Sequence, residues 1–377
     1  MVAEVGTESQ EAHLRRALEL AEGGRGRVSP NPLVGAVIVR DDEVIGEGFH
    51  AELGGAHAER AAIEDCRARG EDPAGATLYV TLEPCAHSGR QPPCTDAILE
   101  AGLARVVYAS EDPTEKASGR GPGVLRDGGV EVELASGAEA SAARLLNQPF
   151  RKLARTGRPL VTYKAAMTLD GRVAAPSGDS RWISTAESRE LVHRWRAECD
   201  AVAVGIGTAL ADDPLLTART EEAGTQPARV VFDSAARLPV DSALVGSVDE
   251  APLLVICSPE AATARREALA RAGAEVVVAP GRDRATRLRA ALDELGRRVI
   301  QDLLVEGGPT LAGALFDAGE IDAVRLFVAP LLVGAGDARA VLEGEGVRRI
   351  AEGARPLATD YERIGDDMLV SARLREW

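Results

Sequence analysis

Aromatic residues are scarce in this chain. Phe, Trp and Tyr make up 3% of 377 residues, and methionine occurs 3 times. The core must therefore be assembled from Ala, Val and Leu. Basic charge is also short: 44 Lys and Arg stand against 59 Asp and Glu, a net charge of −15. Binding a phosphate backbone needs a basic footprint, so nucleic-acid partners are disfavoured, and with them deaminases that act on tRNA or polynucleotides. No stretch approaches the ~20 apolar residues of a membrane span. The leading MVAEVGTESQEAHLRRALELAEG has no apolar signal core. Five cysteines do not make a disulfide framework, which fits a reducing compartment. These absences predict a soluble, cytoplasmic protein with neither membrane nor nucleic-acid partner. Its length predicts two domains.

What is present concentrates in residues 57–94, HAERAAIEDCRARGEDPAGATLYVTLEPCAHSGRQPPC. His57 is followed after one residue by Glu59, Pro84 leads into Cys85, and eight residues separate Cys85 from Cys94. One imidazole and two thiolates make a three-ligand zinc site with the fourth tetrahedral position left for water. Zinc lowers the pKa of such water toward neutrality. Glu59, beside a ligand without being one, is placed to shuttle protons. H-x-E followed by P-C-x-x-C is the signature of zinc base deaminases; here the loop AHSGRQPP stretches the second half. A lone histidine is more often a hydrogen-bonded core or surface group, but chance rarely delivers His57, Glu59, Cys85 and Cys94 in order. Cys66, Cys199 and Cys257 are expected to be core cysteines. His87 suits a substrate contact or a bystander equally. His13 and His193 lie in helical, charged surroundings and are expected to be solvated.

Around this stretch the pattern alternates. Leu14, Ala17, Leu18 and Ala21 have helical spacing within residues 9–22. LVGAVIVR reads as a buried strand, Asp41-Asp42 as a turn, and VIGEGFH as the hairpin partner. A helix should begin at His57 and end at Gly70, ATLYVTL should be a strand, and TDAILEAG a short helix after Cys94. A helix N-terminus near a cysteine favours its thiolate. ARVVYAS and, after a glycine-rich loop, GVEVEL complete an α/β sandwich with a mostly parallel sheet. One helix, AEASAARLLNQPFRKLARTG, then runs to Gly157. The boundary falls near residue 155, giving domains 1–155 and 156–377.

In the second half, PLVTYKAAMTLDGRVA is a strand ending in T-L-D-G. AVAVG is a buried strand whose GIGT turn opens a short helix, a phosphate cradle in form. Without the third glycine of the Rossmann fingerprint, no standard dinucleotide domain is indicated. LLVEGGPTLAGAL repeats strand, Gly-Gly turn and helix, with Glu306 at the carboxyl end where ligands of open α/β sheets gather. Gly307-Gly308 as a plain turn stays open.

EPCAHSGRQPPC with the preceding HAE resembles the bifunctional riboflavin-biosynthesis pyrimidine deaminase/reductases. The resemblance continues through AVAVGIGTALADDPLLTAR and LLVEGGPTLAGAL, in the expected order over most of the chain. It implies a cytidine-deaminase-like three-layer α/β/α domain followed by a dihydrofolate-reductase-like α/β domain. It implies zinc held by His57, Cys85 and Cys94, with Glu59 as proton shuttle, acting on the small phosphoribosyl diaminopyrimidine. NADPH then reduces the ribosyl chain to ribityl, giving 5-amino-6-(5-phosphoribitylamino)uracil. By the same resemblance Asn31 and His50 contact the pyrimidine and Arg90 the phosphate. Lys164, Ser180, Arg196, Leu216, Arg219 and Glu306 contact the reductase substrate, with Arg196 and Arg219 suited to phosphate. Ala166, Trp182, Thr208, Asp212, Ser234, Gly307 and Gly308 line the nicotinamide cofactor.

Plainer readings stand beside several of these. Asn31 fits a turn in S-P-N-P, Arg90 a solvated loop charge, Trp182 a core position, and Asp212 a cap or turn. Ala86 stands where the family more often has serine. An Ala/Leu-rich helix of the second half offers a surface for packing against a second copy. Two rival functions remain in view. One is a nucleoside or nucleobase deaminase with a non-catalytic nucleotide-binding second domain. The other is a structural zinc site, completed by His87 or Cys66, since structural sites carry four protein ligands.

Overall fold

The computed structural model describes residues 2–89, 91–115, 117–220 and 225–377, with side chains from Glu8 onward. It separates into two compact units, Met1–Thr156 with Trp377, and Gly157–Glu376. Trp377 clusters with the first unit because its N–H donates to Gln148 at 2.7 Å and its carbonyl accepts from Arg151 at 2.6 Å.

The first unit runs α1 (Val2–Glu22), β1 (Gly35–Arg40), β2 (Glu43–Phe49), α2 (Ala58–Ala68), β3 (Thr77–Val80), α3 (Cys94–Glu100), β4 (Arg105–Tyr108), α4 (Arg120–Asp127), β5 (Glu131–Leu134), α5 (Ala138–Leu146) and α6 (Gln148–Thr156). Successive strand residues face opposite ways. Val37, Val39, Tyr79 and Val107 therefore pack with Leu14 and Ala17 of α1. Ala36, Ile38, Leu78 and Val80 pack on the other side with Ala62, Ile63, Ile98 and Leu125. Helices on both faces give three layers.

The sheet, in the order β2-β1-β3-β4-β5, is less parallel than the alternation of elements suggests. β1 is antiparallel to both β2 and β3, and parallel pairing begins only at β3–β4. Asp41 and Asp42, both at positive φ (48° and 68°), close the β1–β2 hairpin with the turn handedness that matches strand twist. The single helix expected up to Gly157 is two, α5 and α6. They part at Asn147, whose side chain accepts from Leu33 N–H (2.8 Å) and donates to Leu33 C=O (2.9 Å). α4 arises within what composition marks as a glycine-rich loop. There a Cβ on Gly121 would stand 1.9 Å from the Pro84 carbonyl oxygen, so the glycine serves close packing. His13, expected to be solvated, is buried against Tyr79 (ring centroids 5.1 Å apart) and meets Asp42 at 3.0 Å.

The second unit runs β6 (Leu160–Thr168), β7 (Arg172–Ala174), α7 (Ala186–Glu198), β8 (Ala201–Gly205), α8 (Ile206–Asp212), β9 (Ala228–Phe232), α9 (Ala243–Gly246), β10 (Leu253–Cys257), α10 (Thr263–Arg271), β11 (Glu275–Val278), α11 (Arg284–Arg297), β12 (Asp302–Glu306), α12 (Pro309–Asp317), β13 (Ala323–Ala329), β14 (Arg339–Ala340), β15 (Ala358–Ile364) and β16 (Asp367–Arg373). Nine strands form one sheet, β11-β10-β9-β8-β12-β6-β13-β16-β15, parallel from β11 to β13 and antiparallel beyond. Ala201 and Ala203 face Leu288, Leu292, Leu295 and Leu315, whereas Val202 and Val204 face Leu244 and Leu269. α11 and α12 thus turn most of their Ala and Leu residues into their own core. Among the described residues no helix is long and apolar enough to cross a membrane.

Candidate active site

In the first unit, the chain between β2 and α2 delivers His57 as the residue before the helix, with φ −72° and ψ 158°. That extended geometry turns the imidazole toward the loop after β3, which carries Cys85. Cys94 opens α3, and its N–H donates to the Cys85 sulfur at 3.4 Å. His57 Nδ1 lies 3.2 Å from Cys94 Sγ and 3.7 Å from Cys85 Sγ. The three ligand atoms lie within 4.8 Å of one another, and no other such group occurs among the described residues. A tetrahedral N,S,S zinc site places its ligand atoms roughly 3.5–3.8 Å apart, so the donor set fits zinc in chemistry and spacing. Cys66 lies on the buried face of α2, and Cys66 and His87 both stand outside the cluster, so neither completes a four-ligand structural site. Hydrogen bonding from the Cys94 thiol draws the Cys85 thiol down to about 4, and the same contact, with burial, raises Cys94.

Glu59, in the first turn of α2, is 4% exposed. Burial, and after it the neighbouring Cys85 thiolate, raises its carboxyl above the usual range. His50 Nδ1 lies 2.9 Å from Ala56 C=O and Nε2 lies 3.0 Å from Asn31 Nδ2. Nδ1 must then carry the proton and Nε2 accept from the Asn31 amide, which leaves Asn31 Oδ1 as an available acceptor. Burial lowers His50, consistent with a neutral ring.

Asn31, His50, His57, Glu59, Cys85 and His87 line one cavity of about 390 Å³, and Gln91, Asp112, Thr114 and Phe150 complete its wall. The sequence reading missed these last four. A local signal existed for Asp112, whose carboxylate accepts from both the N–H (2.8 Å) and hydroxyl (2.7 Å) of Thr114 in an Asp-Pro-Thr turn. Arg90 lies outside the described residues.

In the second unit the expected residues fall into groups. Glu306, at the end of β12, pairs in register with Lys164 of β6. Arg196 of α7 grips the Glu306 carboxylate at 2.6 and 2.9 Å, and Lys164 Nζ stands 3.8 Å away. Burial alone would raise this carboxyl, but Arg196 and Lys164 overcome it and hold Glu306 at about 2. Burial lowers Lys164 against the pull of Glu306. Arg196 also donates to Thr217 C=O at 3.1 Å, so its guanidinium is engaged and not poised for phosphate. Arg219 is exposed and meets His193 Nε2 at 3.1 Å. His193 is half-buried, with burial lowering its pKa, and is not the solvated group expected. Leu216 buries its side chain in the core at a φ of 57°, so only its backbone can meet a ligand.

Thr208, Ser234 and Gly308 line a second cavity, of about 310 Å³, with Gly205, Phe232, Ile256, Leu288 and Leu311. Gly307 and Gly308 both have positive φ, 61° and 70°. A Cβ on Gly308 would stand 3.2 Å from Thr208 Oγ1, so glycine keeps this cradle open. Ala166, Trp182, Asp212 and Gly307 do not line that cavity. Trp182 is 70% exposed with Arg189 over its ring at 4.5 Å, which removes the core reading. Asp212 ends α8 and accepts from Arg181 at 3.1 Å through its carbonyl, and Ser180 is half-buried.

Residues 7–110 match the cytidine and deoxycytidylate deaminase zinc-binding region, and residues 159–370 match the RibD C-terminal domain. The riboflavin biosynthesis protein RibD of Actinobacillus pleuropneumoniae is 40% identical over 95% of this chain and 93% of its own. The Escherichia coli protein of the same name is 38% identical over 95% and 97%.

This chain belongs to the RibD family. RibD of Acinetobacter baumannii, 36% identical, superposes with a TM-score of 0.86 over 98% of this chain and 99% of its own. The Thermotoga maritima diaminohydroxyphosphoribosylaminopyrimidine deaminase/5-amino-6-(5-phosphoribosylamino)uracil reductase superposes at 0.84, with the same identity and coverage. The chain is thus a bifunctional enzyme of riboflavin biosynthesis, a zinc-dependent deaminase and a reductase. Its fold joins a cytidine-deaminase-like domain to a dihydrofolate-reductase-like one.

Proposed function

We propose that the two activities divide between the units, deamination in 1–155 and reduction in 156–377. The reading rests on one observation: a three-ligand N,S,S cluster beside a buried, non-ligating glutamate, opening on a cavity of about 390 Å³. His57, Cys85 and Cys94 would hold zinc, which when bound would make water nucleophilic near neutral pH. Glu59 would hold a proton between the attacking water and the departing amine, and a carboxyl raised by burial suits both taking it up and giving it away. Asn31 Oδ1 accepts from the pyrimidine, and the neutral His50 fixes the Asn31 amide orientation. Arg90 takes the substrate phosphate.

In the second unit NADPH, when bound, would supply the hydride that reduces the ribosyl chain to ribityl. Thr208, Ser234 and Gly308 would hold the cofactor in the 310 Å³ cavity, and the family resemblance assigns Ala166, Trp182, Asp212 and Gly307, outside that lining, to the same cofactor. Lys164, Ser180, Leu216 backbone and Glu306 hold the sugar, and Arg219 the phosphate. Arg196 supports Glu306. The enzyme works in the cytoplasm. Self-association through the second unit belongs to the same proposal and rests on edge strand β15, whose Tyr361 is 71% exposed.

Glu59→Gln separates the steps. Mass spectrometry of this variant with the diaminopyrimidine phosphoriboside and NADPH should find no deaminated product. The same variant given deaminated substrate should still reduce it. Deamination at the native rate would remove Glu59 from its role, and loss of both activities would undo the division between units.

A further inference from the structure

β4 ends at Tyr108, and the chain leaving its carboxyl end becomes a wall of the first unit's cavity through Asp112 and Thr114. Beyond the strand this segment has no ladder to join, so its polar groups must find partners elsewhere. Glu83 serves one side of it. The Glu83 N–H donates to Ser110 C=O at 2.9 Å, and the Glu83 carboxylate accepts from the Asp112 N–H at 3.4 Å. Arg151 of α6 serves the other side. Its Nη1 donates to Ser110 Oγ and to Glu111 C=O, each at 3.1 Å. Ser110 Oγ donates in turn to Glu111 C=O at 3.2 Å, so the three groups close a small ring just before Asp112.

Arg151 is itself held in place. It is 4% exposed, and its Nε donates to Trp377 C=O at 2.6 Å. Burying a guanidinium is costly unless its N–H groups are satisfied, and here its planar fork is spread over acceptors from two distant segments. Phe150, the residue before it in α6, lines the same cavity as Asp112 and Thr114. One short helix thus supplies part of the wall and the anchor for the rest. Neither Arg151 nor Ser110 lines the cavity, so both act on it only through what they hold.

We propose that Arg151 is a positioning residue of the deaminase: through Ser110 and Glu111 it fixes where Asp112 and Thr114 stand, and so how tightly the cavity holds its pyrimidine. The proposal rests on the reading of this cavity as the deaminating site. In that reading the reacting atoms meet His57, Glu59, Cys85 and Cys94, whereas Asp112 and Thr114 only bound the space around the substrate. Contacts made alike to substrate and transition state change KM and leave kcat as it was. Lysine in place of Arg151 keeps the charge and the stem. Its compact ammonium cannot span Ser110, Glu111 and Trp377 together, as the fork does.

Steady-state kinetics of both reactions, measured on the zinc-loaded full chain, test it. Arg151→Lys should raise the KM of deamination about tenfold. Its kcat, its zinc content and the reduction of deaminated substrate should stay as in the native protein. Ser110→Ala, a smaller change that guards against misfolding of the first variant, should raise the same KM about threefold. The double variant should be no worse than Arg151→Lys alone, because both substitutions cut one path. An unchanged KM in both single variants overturns the proposal. A fall in kcat accompanied by loss of zinc overturns it too, leaving Arg151 a support of the fold alone. A raised KM for reduction, with deamination untouched, would refute the assignment of this cavity to deamination and the proposal with it.

Discussion

Glu306 and Arg196 stand 110 residues apart in the chain and close a two-pronged ion pair that is largely buried. Removing one partner of a buried pair leaves the other charge uncompensated, which costs about 3–5 kcal/mol. Glu306→Gln should therefore destabilise the second unit by about that much and abolish reduction. The pH dependence has a definite sign. The folded carboxyl is held at about 2, below its unfolded value of about 4.3, so its stabilisation is complete above the unfolded value and is lost as pH falls toward 2. The gap in melting temperature between native protein and variant should thus be widest near neutrality and narrow through that acidic window. A gap that stays constant from pH 6 to pH 3 would show that the pair does not carry the difference.

At the level of elements, α4 shows how a helix is placed by what it touches. Gly121 approaches the Pro84 carbonyl so closely that a methyl group cannot be added, whereas Gly123, on the same helix, has nothing within 4 Å of its Cβ position. Gly121→Ala should displace the Pro84-Cys85 segment, lowering both melting temperature and zinc retention. Gly123→Ala should be neutral or stabilise by up to about 1 kcal/mol, because alanine is the better helix former. If metal analysis and thermal melts found the two variants alike, close packing would not be what places α4. The same contrast explains what could be read from sequence. His57, Glu59, Cys85 and Cys94 were legible because their chemistry is distinctive and their spacing is local. β8 with its glycine turn and β12 with Gly307-Gly308 were legible for the same reason. α4, the break at Asn147 and the burial of His13 were not, because each depends on a partner distant in the chain: Pro84, Leu33 and Tyr79. Nor could sequence show that Arg196 faces Glu306 and not a phosphate.

On the scale of the whole molecule, each unit fills its own core. Ile38, Ile63 and Leu78 belong to one, and Tyr163, Leu292 and Leu303 to the other. Such a chain need not melt as one, since two-state behaviour is a property of single domains. Differential scanning calorimetry should resolve two transitions. A zinc chelator should lower only one of them. NADPH at 100 times its Kd should raise only the other, by about 2.7 kcal/mol of stability. A single transition moved by both treatments would contradict this. The burial of the Arg196–Glu306 pair has one more consequence. Dissolved ions weaken attractions between charges that water reaches and hardly touch those it does not. Concentrated electrolyte should therefore loosen surface pairs such as Arg349–Glu352 and leave the grip of Arg196 on Glu306 as it was, so that a salty medium wears at the rim of the second unit before it reaches the middle of its sheet.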